Sequence, residues 1–371
     1  MSRTVYNFAA GPAVLPKPVL EQVRAELTDL DGSGMSIVEI SHRGSAFRRI
    51  ADKTEADLRR LLGVPDAYRV LFMQGGATLQ FAAVPLNLAP EGATVDHLIT
   101  GEWSRRAADE ARKYCRVNLA ADGGPLGYHT IPDPRDWSLS PDAAYLAHTT
   151  NETINGIEFP SVPEGGGVPI VADMSSTILS RPIDVSRYGL IYFGAQKNLG
   201  PAGLTIVIVR ADLIGTARAD TPTILDYAVV ARSESMLNTP PTFAWYVAGL
   251  VLEWLESEGG VAAMETRNRR KKDRLYGAID ASGLYRNEVD PRYRSWTNVP
   301  FALTDPGLEA RFLTDAEAEG LVNLKGHRSV GGMRASLYNA MPEEGVAALT
   351  EFMDQFERRW RDMGADAGEN S

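Results

Sequence analysis

The sequence has little cysteine and no long apolar run. Cys115 is its single cysteine, so no internal disulfide can form and a reducing compartment is expected. Cys115 lies where a predicted helix passes into a strand, and it is interpreted as a small core residue, not as a nucleophile. No apolar stretch approaches the roughly 18 residues that span a membrane, and the first residues lack the features of a signal peptide. These absences predict a cytoplasmic protein.

Positive charge is also scarce. The 38 lysines and arginines are outnumbered by 48 aspartates and glutamates, which leaves a formal net charge of −10. A protein that binds nucleic acid usually carries a basic face, so this balance argues against that class of function. The 371 residues suffice for two domains and a large core, and a hydrophobic share of 44% is typical of a globular protein.

Short apolar runs alternate with helical or loop segments in the middle of the chain. The strands predicted there cover residues 68–73, 94–99, 143–148, 169–173, 190–193 and 204–210. This alternation predicts an α/β fold with a largely parallel sheet covered by helices on both faces. Beyond residue 280 the pattern becomes strand–helix–strand, which indicates a smaller α+β domain. We predict a large domain over 16–261 and a small domain formed by 1–15 and 262–371.

Two helices are predicted on either side of this alternating region. The spacing of apolar residues predicts one helix over 18–30 and another over 261–279. The second contains the run RNRRKKDR, which is interpreted as a solvated helix face.

Several candidate ligand contacts follow predicted strands directly. In parallel α/β sheets, ligands bind beyond the carboxyl ends of the strands. The glycine pair of QGGAT, residues 74–78, ends a strand and begins a helix, a shape that can cradle a phosphate, with a mere tight strand–helix corner as the alternative. It matches neither the Walker motif nor the dinucleotide fingerprint. Trp103 and Thr153 also follow strands; the tryptophan suits stacking on a planar ligand, with packing in the core as the alternative.

The functional prediction depends most on Lys197 and Asp173. Lys197 lies in GAQKNLGPAG, between two predicted core strands, and Asp173 ends the apolar strand PIVAD. Burial lowers the pKa of a lysine toward a neutral, nucleophilic amine; a lysine that merely extends from a strand end to the solvent is the simpler alternative. Pyridoxal phosphate (PLP) needs an amine for its aldehyde and an anion opposite its ring nitrogen. The pair therefore favours a PLP enzyme.

Basic residues gather in the segment KGHRSVGGMR, which holds His327, Arg328 and Arg334 around a glycine pair. Arginine binds carboxylates and phosphates bidentately, so these residues suit a doubly anionic substrate, with ordinary surface ion pairs as the alternative. His42 and Arg43 stand on a second loop, ahead of a predicted helix.

Long segments of the chain resemble the phosphoserine aminotransferase family. The likeness runs from residue 7 to residue 359 and is carried by NFAAGPAVLP, SHRG, QGGATLQFAAVPLNL, TGEWS, NETINGIEF, DMSSTILSRPIDVSRYGLIYFGAQKNLGPAGLTIVIVR, NTPPTFAWY and KGHRSVGGMRASLYNAMP. This resemblance implies fold type I of class V, similar in fold to aspartate aminotransferase. It also implies a homodimer and PLP as the cofactor.

The resemblance further implies which residues hold the cofactor. Lys197 would form the Schiff base and shuttle the proton of the substrate α-carbon, and Asp173 would pair with the ring nitrogen. Trp103 would stack on the ring, and Thr153 would bond to the phenolic oxygen. The phosphate would be held by Ala77, Thr78 and Gln196, completed by Asn238 and Thr239 of the neighbouring subunit. Some members have an arginine where Thr78 stands, so neutral donors and helix amides would serve here.

The same resemblance assigns the substrate anions to His42, Arg43, His327, Arg328 and Arg334, with Arg334 as the partner of the α-carboxylate. The implied reaction is reversible amino transfer from L-glutamate to 3-phosphohydroxypyruvate, giving 2-oxoglutarate and O-phospho-L-serine. The family also acts on a phosphorylated hydroxythreonine precursor of vitamin B6. The rival interpretations are an alanine–glyoxylate aminotransferase, a desulfurase, and a non-catalytic protein that binds a phosphorylated metabolite.

Overall fold

The computed structural model describes the backbone of residues 4–369 and the side chains of residues 4–361. The helices are α1 (Lys17–Glu26), α2 (Ser45–Leu62), α3 (Gly76–Leu88), α4 (Glu102–Ala111), α5 (Tyr227–Arg232), α6 (Thr242–Ser257), α7 (Gly260–Ala281), α8 (Glu309–Ala318) and α9 (Glu343–Glu369). The strands are β1 (Tyr6–Asn7), β2 (Tyr68–Met73), β3 (Thr94–Ile99), β4 (Arg116–Asp122), β5 (Leu146–Thr149), β6 (Asn151–Glu152), β7 (Ile157–Glu158), β8 (Ile170–Asp173), β9 (Leu190–Gly194), β10 (Thr205–Arg210), β11 (Tyr285–Arg286), β12 (Asn298–Leu303), β13 (Leu321–Val322) and β14 (Met333–Ser336). None of the described helices combines the length and apolarity needed to cross a membrane.

A seven-stranded sheet forms the centre of the fold, in the order β2-β10-β9-β8-β5-β3-β4. Strand β10 runs antiparallel to its neighbours β2 and β9, and the other neighbouring pairs are parallel. The central strands β9 and β10 read LIYFG and TIVIVR, apolar on both faces because helices cover both. The predicted α/β fold with a largely parallel sheet is confirmed.

Each face of the sheet has its own core. On one face, Trp245 of α6 stacks on Phe72 of β2 with ring centroids 4.1 Å apart and meets Phe47 of α2 edge-on at 5.7 Å. On the other face, Phe81 of α3 meets Tyr192 of β9 edge-on at 6.4 Å. Because helices close both faces, the ends of the strands are the part of the sheet that remains open to a ligand.

The carboxyl ends of four strands meet at one edge of this sheet. Met73, the last residue of β2, and Gly194, the last of β9, both pair with Thr205 of β10. Thr149, the last residue of β5, pairs with Asp173, the last of β8. The register therefore brings the segments that follow these strands together.

A smaller α+β unit follows the central sheet in the chain. Its sheet has the order β11-β12-β14, and β1 of the N-terminal segment pairs in parallel with β13. Phe312 of α8 lies at the centre of its core, 5.2–5.9 Å from the rings of Tyr285, Phe301, Phe352 and Phe356. The domain limits 16–261, and 1–15 with 262–371, stay a prediction; of these, residues 1–3, 370 and 371 lie outside the described part of the chain.

Two predictions about helices are wrong. Helix α1 ends at Glu26 instead of residue 30, because the chain turns back there and the Leu30 amide donates to the Met35 carbonyl at 2.9 Å. The RNRRKKDR run of α7 is not a solvated face throughout, since Asn268 and Lys271 within it are buried. Carbonyl groups of the protein replace water around the Lys271 ammonium.

Candidate active site

A cavity of about 390 Å³ lies at the carboxyl edge of the central sheet. The predicted site residues that line it are Ala77, Thr78, Trp103, Thr153, Asp173, Gln196, Lys197, His327 and Arg334. One cavity thus unites residues that are far apart in the sequence, from the start of α3 to β14.

Lys197 and Asp173 share this cavity. The Asp173 carboxyl is 6% exposed, and its Oδ1 accepts a hydrogen bond of 2.8 Å from the Ser175 amide. Burial raises the pKa of Asp173, while Lys197 and Ser175 act in the opposite direction. Burial also lowers the pKa of Lys197 to about 8, against the charges of Asp173 and Glu152. Among the described residues Lys197 Nζ has no hydrogen-bond partner, so its amine is available for chemistry.

Trp103 forms part of the cavity wall and is held at two points. Its indole Nε1 donates to Thr153 Oγ1 at 3.0 Å, and its backbone amide donates to Glu152 Oε2 at 2.9 Å. The indole orientation is therefore fixed from the segment that follows β5. A flat aromatic wall held in this way suits a planar ligand.

The first turn of α3 offers an anion site. Gly75 and Gly76 have φ angles of 88° and 67°, which other residues rarely adopt, and a Cβ on Gly75 would lie 2.4 Å from Leu79 Cδ2. No side chain caps this helix, so its first amides, including those of the cavity residues Ala77 and Thr78, lack partners within the helix. Free amides and the positive end of the helix dipole attract a phosphate.

Arg334 supplies positive charge on the opposite side, from β14. Its Nη1 donates to the Thr153 carbonyl at 3.2 Å, while its Nε is buried without a partner among the described residues. Burial lowers its pKa from the usual arginine value. His327 lines the same cavity, with its Nδ1 2.7 Å from Ser329 Oγ. A half-buried guanidinium with a donor unpaired among the described residues is suited to bind a carboxylate.

Five of the predicted site residues do not line this cavity within one chain: His42, Arg43, Asn238, Thr239 and Arg328. All of them are exposed except the half-buried His42. Asn238 and Thr239 are expected to act from a neighbouring subunit, and in their own chain neither lines the cavity. The assignment of all five stays a prediction.

Some residues of the site were not predicted individually. Glu152, fully buried, bonds to the start of α4, and Ser175 bonds to Asp173. Asn151 lines the cavity and donates to Ser176 Oγ at 2.8 Å. The polar run TTNETING after a strand was a signal for this region, but without the fold it is typical of any turn.

The whole arrangement agrees with comparisons to known proteins. The sequence profile of the family described as Aminotransferase class-V matches residues 5–349. The chain therefore belongs to the class-V aminotransferases.

Individual relatives narrow this assignment. The phosphoserine aminotransferase of Pseudomonas paraeruginosa is 57% identical over 358 residues, which are 96% of this chain and 99% of that protein. The solved structure of phosphoserine aminotransferase from Bacillus circulans subsp. alkalophilus has a TM-score of 0.94 at 47% identity, covering 96% of this chain and 99% of that one. The solved structure of PLP-bound phosphoserine aminotransferase from Trichomonas vaginalis has a TM-score of 0.92 at 42% identity, covering 95% of this chain and 100% of that one. Within the class, the chain belongs to the phosphoserine aminotransferase family.

Proposed function

We propose that this chain uses PLP to transfer the amino group of L-glutamate to 3-phosphohydroxypyruvate, giving 2-oxoglutarate and O-phospho-L-serine. The observation that carries the proposal is the content of one cavity. It is lined by a lysine with a lowered pKa, a buried carboxylate, and a guanidinium whose Nε has no partner among the described residues. The names of the relatives agree with this reaction.

The residues around the cavity fit PLP. Asp173 offers a buried anion, Lys197 an amine without a hydrogen-bond partner among the described residues, and α3 an uncapped N-terminus preceded by a left-handed glycine. When bound, PLP supplies an aldehyde that accepts the amine and a ring that draws electrons from the substrate α-carbon. The anion of Asp173 matches the ring nitrogen of this cofactor, the amine of Lys197 matches its aldehyde, and the N-terminus of α3 matches its phosphate.

Each group of the chain then has a specific task. Lys197 Nζ would hold the aldehyde of bound PLP and would move the proton that leaves the substrate α-carbon, for which a pKa of about 8 is suitable near neutral pH. Asp173 would keep a proton on the ring nitrogen. Trp103 would stack on the ring, and Thr153 would bond to the phenolic oxygen. Ala77, Thr78 and Gln196 would hold the phosphate with the first amides of α3.

The substrate anions are assigned to the basic side chains. Arg334 binds the α-carboxylate. Its Nε has no partner among the described residues, and together with another N–H of the guanidinium it allows a bidentate contact. His327, in the same cavity, binds the phosphate or the γ-carboxylate together with Arg328, His42 and Arg43. A site for two anions distinguishes this enzyme from one that acts on glyoxylate, which carries a single anion.

A second copy of the chain completes the site in this proposal. Asn238 and Thr239 of one copy bond to the cofactor phosphate of the other. The surface around Asn238 supports such an interface, because the neighbouring Ile224 and Leu237 are exposed apolar side chains, 45% and 38% accessible. Exposed apolar surface of this kind is typical of contacts between subunits.

The test is amino transfer from L-glutamate to three acceptors, 3-phosphohydroxypyruvate, hydroxypyruvate and glyoxylate. We expect kcat/KM to favour the phosphorylated acceptor by at least about 100-fold, because an anion site without its phosphate leaves charged groups unpaired. Equal values for the first two acceptors would contradict the phosphate site. A preference for glyoxylate would favour the alanine–glyoxylate aminotransferase alternative.

A further inference from the structure

Glu152 is a buried carboxylate that lies next to the cavity and takes no part in the chemistry proposed above. Its side chain is 0% exposed. Its Oε2 accepts from the Trp103 amide at 2.9 Å, and its Oε1 accepts from the amide and the hydroxyl of Ser104 at 2.8 and 2.6 Å. Both carboxylate oxygens are therefore bonded to the first turn of α4, although Glu152 lies 49 residues from Trp103 in the sequence.

The start of α4 needs this partner. The residue before the helix is Gly101, whose φ of 176° is extended, and it has no side chain that could cap the helix. A Cβ on Gly101 would lie 2.6 Å from Glu152 Cγ and Cδ, so the glycine leaves the room that the carboxylate occupies. An anion at this position bonds to amides that have no partner within the helix and meets the positive end of its dipole.

Thr153, the residue after Glu152, contacts the side chain of Trp103 and lines the cavity. Thr153 accepts from the Trp103 indole at 3.0 Å, and its carbonyl accepts from Arg334 at 3.2 Å. Trp103 is thus held at its backbone by Glu152 and at its ring by Thr153. If the backbone contact is lost, the bond to Thr153 and the Arg106 guanidinium, 5.2 Å from the ring centroid, remain to orient the indole.

We propose that Glu152 is a positioning residue, which fixes the first turn of α4 so that Trp103 stands in the cavity wall in the orientation that receives the cofactor ring. This inference rests on the proposed function for the identity of the cofactor. Glu152 acts through Trp103 and is not itself in the set of residues that line the cavity.

The chain offers a matched control in Glu158, on the partner strand of the same hairpin, where it pairs with Asn151. Glu158 is also buried, at 3% exposed, accepts from the Trp296 amide at 2.7 Å and pairs with Arg181 at 2.7 Å. It does not line the cavity. Replacing Glu158 therefore removes a similar buried hydrogen bond, but none to Trp103.

The experiment compares Glu152→Gln with Glu158→Gln in the full-length chain, stripped of cofactor and titrated with PLP. A glutamine at 152 presents an amide NH₂ to a backbone N–H, so one of the contacts to α4 must break. We expect Glu152→Gln to bind PLP about tenfold more weakly, with a smaller visible circular dichroism signal per bound cofactor, and Glu158→Gln to match the parent chain. An unchanged affinity and signal in Glu152→Gln, or the same loss in Glu158→Gln, would overturn the proposal.

A double-variant cycle separates positioning from general stability. In a Trp103→Ala background, Glu152→Gln should weaken PLP binding by less than about twofold, because the ring it positions is gone. An additive tenfold effect would overturn the proposal. Should Glu152→Gln not fold, Ser104→Ala removes one of the three Glu152 contacts, together with the bonds that the Thr100 and Gly101 amides donate to Ser104 Oγ. It should weaken PLP binding by a factor that also disappears in the Trp103→Ala background. Binding is measured without substrate, so a wrong substrate assignment would leave these results unaffected.

Discussion

Lys271 is buried and Lys197 is half-buried, and their surroundings differ completely. Lys271 of α7 is 2% exposed, and its Nζ donates to the carbonyls of Leu337, Tyr338 and Met341 at 3.0, 2.8 and 3.0 Å. Burial lowers the pKa of Lys271 to about 7 and that of Lys197 to about 8. A lowered pKa is therefore common to both and does not by itself identify the reactive lysine.

The difference lies in partners and access. The three carbonyls saturate the Lys271 ammonium, which thereby ties α7 to the turn between β14 and α9. Lys197 lines a cavity that also holds Asp173, and no hydrogen bond to its amine is found in the described part of the chain. A half-buried lysine that shares a cavity with a carboxylate, and whose amine has no partner among the described residues, is suited to chemistry. A buried lysine whose three donors are all bonded is suited to structure.

Replacing each lysine separately gives the largest predicted contrast. Lys197→Ala removes the amine that bonds to PLP and moves the proton, so we expect transamination to fall about 10⁴-fold or more. Lys271 does not line the cavity, so the rate of Lys271→Met per folded molecule should stay close to that of the parent chain. Steady-state rates, corrected for the folded fraction by circular dichroism, check both. The comparison fails if Lys271→Met loses as much activity as Lys197→Ala.

Removing the carboxylate beside Lys197 should have the next largest effect. Asp173→Asn keeps the shape but not the charge opposite the ring nitrogen, and we expect kcat to fall about 10²–10³-fold while PLP still binds. Asp96→Asn is the matched control, because Asp96 is also buried and bonded, to Asn118 and Ser140, but lies outside the cavity. The measurement is kcat of the two PLP-loaded variants. An equal fall in kcat in both would argue against a special role for Asp173.

Arg334 tests whether the cavity has a substrate side separate from the lysine. Arg334→Ala should lower kcat/KM for L-glutamate about 100-fold through loss of a charged bidentate contact. The visible absorption of bound PLP should remain nearly unchanged. Loss of that absorption would assign Arg334 to the cofactor instead of the substrate.

The last prediction concerns stability, not activity. Lys271 keeps its proton up to about pH 10.5 when unfolded, but only up to about pH 7 when folded, so the unfolded chain binds more protons in between. The free energy of unfolding should therefore rise with pH across this window, by up to about 1.4 kcal/mol per pH unit from this residue. Lys271→Met should lose this contribution. Urea unfolding of the cofactor-free proteins at several pH values measures it, and identical slopes would contradict the prediction.

Much of the fold follows from local pattern. The limits of β2 and β3 match the predicted strands, because apolar β-rich runs between turn residues leave little choice. The meeting of Lys197 and Asp173 was predictable, since parallel strands bring their carboxyl ends to one edge. The antiparallel direction of β10 was not part of the prediction, although the short connection over 195–204 favours it, because a parallel crossover needs a dozen or more residues.

Residues that act through distant partners escaped prediction. Lys271 sits in a run of charges that is typical of a solvated helix, and only the fold brings three carbonyls to it. Glu152 was visible as part of a polar turn, but its partners Trp103 and Ser104 belong to α4, about 50 residues earlier in the sequence. In both cases the function of the side chain depends on tertiary contacts that its neighbours in the sequence do not encode.

The choice between the two lysines can be measured directly. The PLP-loaded protein is reduced with borohydride, which fixes the cofactor to the lysine that carries it, and is then digested and mapped by mass spectrometry. We predict the added mass of the cofactor on the peptide that contains Lys197 and none on the peptide that contains Lys271. The added mass on Lys271, or on no lysine at all, would contradict the assignment of Lys197 as the reactive lysine.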